Sequence, residues 1–546
     1  MATDSFSEYH ADLLDDTYDC ADRIILNGYY PMGHNGGGFR TWWRRLFGDD
    51  ENLDNAHLMR FAGRFSRRMR AWAKKHGIPV IPTKAGERKH ELAQEYKPSD
   101  PDAEGIFVIF VSRAPASVWE VLRSENGSLH LRKKDPKPWV NHYSFHLLDR
   151  EWGHVMIKVC GHPPFFTQIA LNGHEYVAQQ ARRQGIGYTK EANCFTEIAN
   201  AADLGRVAET LRCPDAVGHL TQVCERWIYR CMCFALSYDE QQRSRFGYDY
   251  SAYQIEYSRN LLFRRGSEME RVFQGLIDRT RSQLGIRTVK TLFGRRHRPH
   301  RTRRRKHPRF EVVVERPEYH LTVFKVHCGR LSLKIYTKGE RVLRIEAVAH
   351  NTEDLRCGKV VEKFPELVAA LAGMVTRFLD VLQCLDVVWI QDTTLEDLPT
   401  PSQVGKTRVG GLDINQRRMR AVIEAIMTLA WYPRGFTARE VATKVAEILQ
   451  QAYHSRQAAY DLKKLRGKHL VERLGKSHRY QPTSQGLRTL AGLMVLRDKV
   501  IQPLLARCGK LKNGRKPKNR HPLDPYYEAV QREMQKLFGA LNIAAV

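Results

Sequence analysis

The feature that most constrains this chain is a run of cations at 295–309, which reads RRHRPHRTRRRKHPR. Nine of its fifteen residues are Arg or Lys, and none is acidic. Charges at that density cannot be buried in a core, because each would lose its hydration without gaining a partner. The tract therefore faces water, as a solvated linker would, or it contacts a polyanion.

The chain as a whole carries the same sign of charge. Its 546 residues include 88 Lys plus Arg against 60 Asp plus Glu, which gives a formal net charge of +28. A positive field of that size favours a partner with a backbone of phosphates, so we expect nucleic acid to be the partner. Apolar residues make up 42% of the sequence, enough for real cores, and the length accommodates several domains.

Export and membrane signals are not evident in the sequence. The N-terminus, MATDSFSEYHADLLDD, is acidic and lacks an apolar core, so it does not predict a secretory signal. No run reaches the roughly 18 apolar residues that a spanning helix needs. The eleven cysteines are scattered without a CxxC pair, which is typical of reduced thiols. We expect a cytoplasmic protein without a membrane partner, and the sequence indicates no oligomeric state.

Hydrophobic periodicity predicts an α+β, multidomain chain in which antiparallel β segments alternate with helices. Leu58, Phe61 and Phe65 recur at helical spacing and predict a basic helix over 56–75. The segment SAYQIEYSRNLLF (251–263) is interpreted as a second helix. An antiparallel meander is predicted by four closely spaced runs, at 311–315, 319–326, 331–337 and 342–350.

Composition shifts then divide the chain into eight segments. These are a loop-rich N-terminal segment (1–54), a basic α/β domain (55–138), a His/Tyr-rich central α+β domain (139–294), a basic linker (295–310), an antiparallel β plus helix domain (311–398), a second linker (399–417), a C-terminal helical module (418–506) and a basic tail with a terminal helix (507–546).

The C-terminal module is the best specified part of the chain. Thr437 and Glu440 form a capping-box pattern that opens one helix, and a second short helix follows at 455–466. A two-stranded hairpin with a basic tip comes next, around Gly475 to Ser477. The phrase AAYDLKKLRGKHLVERLGKSHRYQPTSQGLRTL resembles MarR-like winged helix-turn-helix domains. That resemblance implies a recognition helix at 455–465 and DNA, more than RNA, as the partner.

Histidines cluster in the central segment and suggest a metal site. Imidazole and carboxylate groups bind divalent metals, and His142 and His146 share a face of an extended strand. The sequence thus suggests a divalent ion such as Mg²⁺ or Mn²⁺, although hydrogen-bonded core histidines would produce the same pattern. The candidate ligands are His142, His146, His154, His162, His174 and Glu175.

Tyr253 and Tyr257 are candidate catalytic residues, since a helix would place both phenols on one face. Their spacing resembles that of rolling-circle replication initiators, which cut DNA through a phosphotyrosine. In such enzymes the metal is held by two histidines separated by one apolar residue. HYSFH (142–146) departs from that pattern, because three residues separate its histidines. A packed aromatic pair is the alternative interpretation.

A hairpin at 331–350, LSLKIYTKGERVLRIEAVAH, mixes charged and apolar residues. Alternation places Lys334 with Tyr336, and Arg344 with Glu346, on single faces. The hairpin is similar to one in replication initiators of filamentous-phage and plasmid type. More broadly, residues 56–500 resemble uncharacterised bacterial proteins, a resemblance that implies no activity.

These features predict a nucleic-acid-binding protein of a mobile element or its replication, with a metal-dependent endonuclease or strand-transfer activity. A non-enzymatic winged-helix DNA-binding regulator and a structured-RNA-binding protein are the two alternatives. The predicted nucleic-acid contacts are Arg64, Arg67, Arg68, Arg303, Arg304, Arg305, Lys306, Lys338, Arg456, Gln457, Lys463, Lys464, Lys476 and Arg479.

Overall fold

A computed structural model describes residues 4–84, 86–100, 102–125, 128–283, 290–293, 310–318, 321–328, 330–384, 396–497 and 524–540. The chain forms two compact units. The first contains Asp12–Phe273 and Thr288–Val375, and the second contains Ala2–Ala11, Gln274–Arg287 and Thr376–Val546. The overall class is α+β, as predicted. The predicted basic linker lies almost entirely outside the described residues, and Arg303, Arg304, Arg305 and Lys306 lie there with it.

Strands β1–β16 belong to the first unit. They are β1 (Leu14–Tyr29), β2 (Val80–Pro82), β3 (Gly105–Pro115), β4 (Trp119–Arg123), β5 (Leu129–Lys133), β6 (Trp139–Asp149), β7 (Gly153–Cys160), β8 (Thr167–Asn172), β9 (Tyr188–Glu191), β10 (Cys194–Ile198), β11 (Asp249–Phe263), β12 (Lys290–Phe293), β13 (Phe310–Glu318), β14 (Leu321–Cys328), β15 (Leu331–Lys338) and β16 (Val342–Ala349).

The helices of the chain as far as residue 384 are α1 (Ser5–Tyr9), α2 (Gly36–Phe47), α3 (Asn55–Lys75), α4 (Lys89–Gln94), α5 (Gly173–Arg183), α6 (Ala201–Glu209), α7 (Asp215–Met232), α8 (Tyr238–Ser244), α9 (Gly266–Gln283) and α10 (Phe364–Cys384). The predicted basic helix is confirmed as α3. Asp54 accepts a hydrogen bond from the His57 amide at its start, and Leu58, Phe61 and Phe65 are buried along one face.

Twelve of the strands form one sheet in the order β12-β13-β14-β15-β16-β11-β1-β8-β7-β6-β3-β2. Neighbours pair antiparallel except for β12 with β13 and β2 with β3. The predicted meander is confirmed as β13 to β16. Strands from the segments predicted as separate domains at 55–138, 139–294 and 311–398 all lie in this sheet, so most of these segments belong to the first unit, whereas Gln274–Arg287 and the residues from Thr376 onward belong to the second.

Two predictions about the centre of the sheet are wrong. The segment 1–54 is not loop-rich, because it contributes the sixteen-residue strand β1 and helix α2. The segment 251–263 is not a helix but most of β11, which pairs with β1 on one side and β16 on the other. β1 and β11 are therefore central strands, and their hydrogen bonds are made to distant parts of the chain.

The second unit contains the C-terminal elements. They are β17 (Ser402–Val404), β18 (Thr407–Val409), α11 (Arg417–Leu429), β19 (Phe436–Thr437), α12 (Ala438–Leu449), α13 (Ser455–Gly467), β20 (Val471–Arg473), β21 (Arg479–Pro482), α14 (Ser484–Leu496) and α15 (Asp524–Ala540). A three-stranded sheet has the order β19-β21-β20, and a hairpin of β17 and β18 lies in the predicted linker.

The predicted capping box at Thr437 and Glu440 is confirmed. On α13, Ala458, Leu462 and Leu465 are buried, and the charged residue Asp461 is buried with them, whereas Ala459 is exposed. The Asp461 carboxylate accepts hydrogen bonds from Tyr453 (2.7 Å) and Arg418 (3.2 Å), which explains why a charged residue faces the core.

One helical stretch of the described residues, Val361–Cys384, is long and apolar enough to cross a membrane by length and composition alone. Most of its apolar window, 67%, is buried inside the protein.

Candidate functional site

Three carboxylates meet on one face of the central strands. Asp22 lies on β1, Glu256 on β11 and Glu346 on β16, and their ligand oxygens all lie within 4.8 Å of one another. Among the described residues this is the only group of three potential metal ligands that close together. We call these three residues the carboxylate site.

Strand register explains how distant residues reach this place. Cys20 pairs with Ser258, and Ser258 pairs with Glu346, so alternation puts Glu346 beside the neighbouring Glu256. The pairing of β1 with β11 is irregular between Ala21 and Ile24, and this bulge accommodates the extra residue next to Asp22.

Cations surround the carboxylates and hold them in place. Lys334 Nζ donates to Glu346 Oε2 at 3.0 Å, and Arg344 Nη1 donates to Asp22 Oδ2 at 3.2 Å. Arg344 is fully buried, and its Nε also donates to Asn260 Oδ1 at 2.6 Å. If all three carboxylates were ionised, they would outnumber these two cations by one negative charge.

His174 and Asn193 complete the surroundings of Asp22. His174 Nδ1 lies 3.2 Å from Asp22 Oδ1, and Asn193 Nδ2 donates to both Asp22 oxygens at 3.1 and 3.0 Å. Lys338 in turn donates to the Asn193 side chain. Lys338, predicted to contact nucleic acid, thus borders the carboxylate site.

A tyrosine hydroxyl points at the same carboxylates. Tyr336 Oη donates to Glu346 Oε2 at 3.1 Å, and Tyr336 is half-buried. The sequence predicts that Lys334 and Tyr336 share one face of their strand, and that Arg344 and Glu346 share one face of theirs. The register agrees with this, because Lys334 lies opposite Glu346 and Tyr336 lies opposite Arg344.

The pKa values of Glu256 and Asp22 are shifted in opposite directions by their surroundings. Burial raises the pKa of Glu256 to about 8. The charge of Lys334 acts to lower this pKa, and Glu346 acts to raise it further. Burial also acts to raise the pKa of Asp22, but His174 and Arg344 outweigh it and hold that pKa below its ordinary value. At neutral pH a proton therefore lies on Glu256, where a metal ion could replace it.

The donor set fits a hard divalent cation. Carboxylate oxygens are the ligands that Mg²⁺ and Mn²⁺ prefer, and all three side chains present them to one point. Glu256 is half-buried, whereas Asp22 and Glu346 are each 2% exposed, so this point lies mostly inside the fold.

The structure does not bring the predicted histidine ligands together as one metal site. His146 Nδ1 and His154 Nε2 are 2.9 Å apart, and burial lowers the pKa of each to about 3. His162 Nδ1 instead contacts the Pro163 carbonyl at 3.0 Å, in a loop. His142 lies on the face of β6 that also carries His146.

The remaining two predicted ligands serve other purposes. His174 lies against Asp22, as described above, and Glu175 accepts a hydrogen bond from Lys190 at 2.5 Å. The histidine-rich segment is therefore divided among several environments rather than folded around one ion.

The predicted catalytic tyrosines are also placed elsewhere. Tyr257 is fully buried on the opposite face of β11, where its hydroxyl donates to Asp19 at 2.7 Å. Asp19 is held further by a two-point contact with Arg259, so this is a structural ion pair. Tyr253 is half-buried near an irregularity in the pairing of β11 with β1. The helical face that would have aligned the two phenols does not exist.

Some of the predicted nucleic-acid contacts are exposed, and others form hydrogen bonds within the protein. Arg67 and Arg68 are exposed on α3, whereas Arg64 donates to Glu240 at 2.9 Å. Arg479 is half-buried, and its guanidinium donates to the Arg434 and Gly435 carbonyls at 2.7 Å, so its role is structural.

The helix α13 carries most of the remaining contacts. Arg456 and Gln457 are exposed at its start, and Lys463 and Lys464 are half-buried farther along. Lys476 is exposed at the tip of the β20–β21 hairpin.

The sequence analysis did not name Asp22, Glu256, Tyr336 or Glu346 as site residues. For the first two, the available signal was a polar residue at alternating positions of a strand, but neither segment was interpreted as a strand.

No protein-family model, no curated protein and no solved structure matches this chain.

Proposed function

We propose that this chain binds nucleic acid, DNA in preference to RNA, and breaks and rejoins a phosphodiester bond at the carboxylate site with a divalent metal. The observation that carries the proposal is the tyrosine hydroxyl 3.1 Å from one of three converging carboxylates. Such an activity suits the replication or transfer of a mobile element.

The residues present support a specific course of reaction. Tyr336 Oη attacks the phosphorus, and its proton passes to Glu346 Oε2, with which it already forms a hydrogen bond. The bond from phosphorus to the leaving oxygen breaks, and Lys334, on the same carboxylate, supplies the proton to that oxygen. A phosphotyrosine diester results, so the strand can be rejoined by the reverse step without an energy source.

Asp22, Glu256 and Glu346 would hold the metal ion. When bound, a divalent cation supplies charge stabilisation to the phosphoryl oxygens. Arg344 keeps Asp22 oriented, because its guanidinium contacts that carboxylate and the Asn193 carbonyl from a fully buried position.

The second part of the proposal is that the C-terminal unit recognises duplex DNA as a winged helix-turn-helix. The order of α11, α12, α13 and the β20–β21 hairpin supports it, as does the exposed polar start of α13. In this arrangement α13 enters the major groove, where Arg456 and Gln457 contact base edges.

The enzymatic proposal is tested with labelled single- and double-stranded DNA in Mg²⁺ or Mn²⁺. We expect a covalent protein–DNA adduct on a denaturing gel for the native chain and for Tyr253→Phe, the matched control. Tyr336→Phe and Glu346→Gln should form none. An adduct in Tyr336→Phe at the native level would refute the assignment of the nucleophile.

The absence of cleavage by the native chain, together with sequence-preferring duplex binding, would favour the alternative of a non-enzymatic regulator. That alternative is supported only by the C-terminal unit and leaves the convergence of three carboxylates unexplained.

A further inference from the structure

A second polar cluster lies on the same sheet face, nearer its other edge. Lys89, at the start of α4, donates from Nζ to Ser112 Oγ at 2.7 Å and to Ser144 Oγ at 3.2 Å. In the register Ser112 pairs with His142, and Ser144 pairs with Lys158, so alternation places all of these side chains on one face. We call this group (Lys89, Ser112, His142, Ser144 and Lys158) the phosphate subsite.

The cluster is cationic and lacks an acid at its centre. Among the described residues Lys89 has no carboxylate partner, and burial together with the charge of Lys158 lowers its pKa to about 8. His142 is 7% exposed, and its Nε2 has no hydrogen-bond partner among the described residues. Burial, then Lys158 and Lys89, lower the pKa of His142 to about 4.

A buried polar nitrogen without a partner, beside two ammonium groups, indicates a group that is missing from the cluster. The ammonium and hydroxyl groups are donors that suit the oxygens of an anion, and the negative charge of an anion would favour a proton on the imidazole. A metal ion is disfavoured there, because the neighbouring ammonium groups would repel it.

We propose that this cluster binds a phosphate group of a nucleic-acid strand. Lys89 and Lys158 neutralise its charge, the serine hydroxyls donate to its oxygens, and His142 Nε2 donates once it has taken up a proton with the bound anion. Lys89, Ser112 and Lys158 are half-buried, so each is partly in contact with solvent, from which the phosphate enters.

The position of the subsite relates it to the carboxylate site. Lys158 pairs with Gln168, which pairs with Asn27 and donates to it at 2.9 Å, and all three are half-exposed. These polar residues lead from β7 across β8 to β1, the strand next to Glu256 on β11. With adjacent strands about 4.8 Å apart, β7 and β11 are separated by roughly 14 Å.

A strand of a few nucleotides would therefore be needed to contact both places. The inference deepens the proposed function and rests on it in one respect: the strand that fills the subsite is taken to be the one whose scissile phosphate lies at the carboxylates.

The test is the binding of a short labelled single-stranded oligonucleotide, measured by fluorescence anisotropy in EDTA over a range of salt concentrations. We expect Lys89→Met to weaken binding several-fold and to reduce the slope of log K against log salt by about 0.7, the value for one phosphate contact on a single strand. Ser144→Ala should weaken binding less and leave the slope unchanged.

The matched control is Lys84→Met, which removes the same charge from an exposed lysine in the loop before α4. It should leave both affinity and slope as in the native chain. Circular dichroism and the melting temperature verify that each variant is folded. If Lys89→Met, folded, bound the strand as Lys84→Met does, the subsite would be refuted.

A second arm separates a strand phosphate from free phosphate. If inorganic phosphate raised the melting temperature of the native chain but not of Lys89→Met, while both bound the oligonucleotide equally, the nucleic-acid assignment would be overturned. Because all binding is measured without metal, a Lys89 effect in a chain that never cleaves DNA would refute the proposed function and leave the subsite standing.

Discussion

At the scale of single residues, the shared proton of the carboxylate site determines how stability depends on pH. The pKa of Glu256 is raised from 4.5 to about 8 in the folded chain, first by burial. Between these values the unfolded chain loses the proton and the folded chain keeps it, so stability falls as pH rises towards 8 and then levels off.

We therefore expect Glu256→Gln, in EDTA, to melt at nearly the native temperature near pH 5 and several °C higher at pH 8 to 9, for a difference of up to about 4 kcal/mol. Glu362→Gln, a change of an exposed glutamate, should show no such trend. Thermal unfolding followed by circular dichroism across this pH range measures the effect, and a melting difference that is constant with pH would contradict it.

Rising pH should destabilise the folded chain at these residues, whereas Mg²⁺ bound there should stabilise it. A cation that replaces the proton stabilises the folded chain alone, so Mg²⁺ is expected to raise the melting temperature of the native protein at pH 8. Glu346→Gln removes a ligand and should abolish this rise, whereas Glu362→Gln should retain it. An equal rise in all three proteins would show that the cation binds elsewhere.

At the scale of elements, the sequence predicted correctly those elements whose conformation is determined within one short segment. Helix α3, the β13–β16 meander and the Thr437 capping box were all identified, because the signal for each lies within one short segment. The shared face of Arg344 and Glu346 followed from alternation alone.

The central strands were missed for a physical reason. β1 carries Asp15, Asp16, Asp19 and Asp22, a residue type that is depleted in strands, and its conformation is fixed by pairing with two distant strands. β11 likewise has a spacing of aromatics that suits a helix. Without these two strands, Asp22 and Glu256 could not be placed beside Glu346.

At the junction of β8 with α5, a single added carbon atom should destabilise the fold. A Cβ added to Gly173 would lie 1.7 Å from the Ala21 carbonyl oxygen, which is backbone and cannot rotate away. We expect Gly173→Ala to push α5 from β1, to cost at least about 1–3 kcal/mol and to disturb the contact of His174 with Asp22.

Gly218→Ala in α7 is the matched control, because nothing lies within 4 Å of its added Cβ. This change should be neutral or stabilise the helix by about 0.5–1 kcal/mol. Thermal unfolding compares the two, and similar melting temperatures would mean that the approach of α5 to β1 is looser than described.

At the scale of the whole molecule, the proposed function assigns a different nucleic-acid surface to each of the two units. The first presents half-buried polar side chains on one sheet face, which suits an extended single strand. The second presents the exposed polar start of α13, which suits the major groove of a duplex. A net charge of +28 supplies attraction to both and specificity to neither.

The two surfaces should therefore respond to different substitutions. Arg456→Ala is expected to weaken binding to a duplex selected by the full chain from a random pool by about 1–3 kcal/mol, the value of a specific base contact. Its affinity for a single strand should stay at the native level. Arg488→Ala, which removes an exposed arginine from α14 of the same unit, is the control for charge. Anisotropy titrations with both nucleic acids in EDTA distinguish the cases. Equal losses for duplex and single strand in Arg456→Ala would indicate that one surface binds both, because a change confined to base readout cannot weaken a strand bound elsewhere.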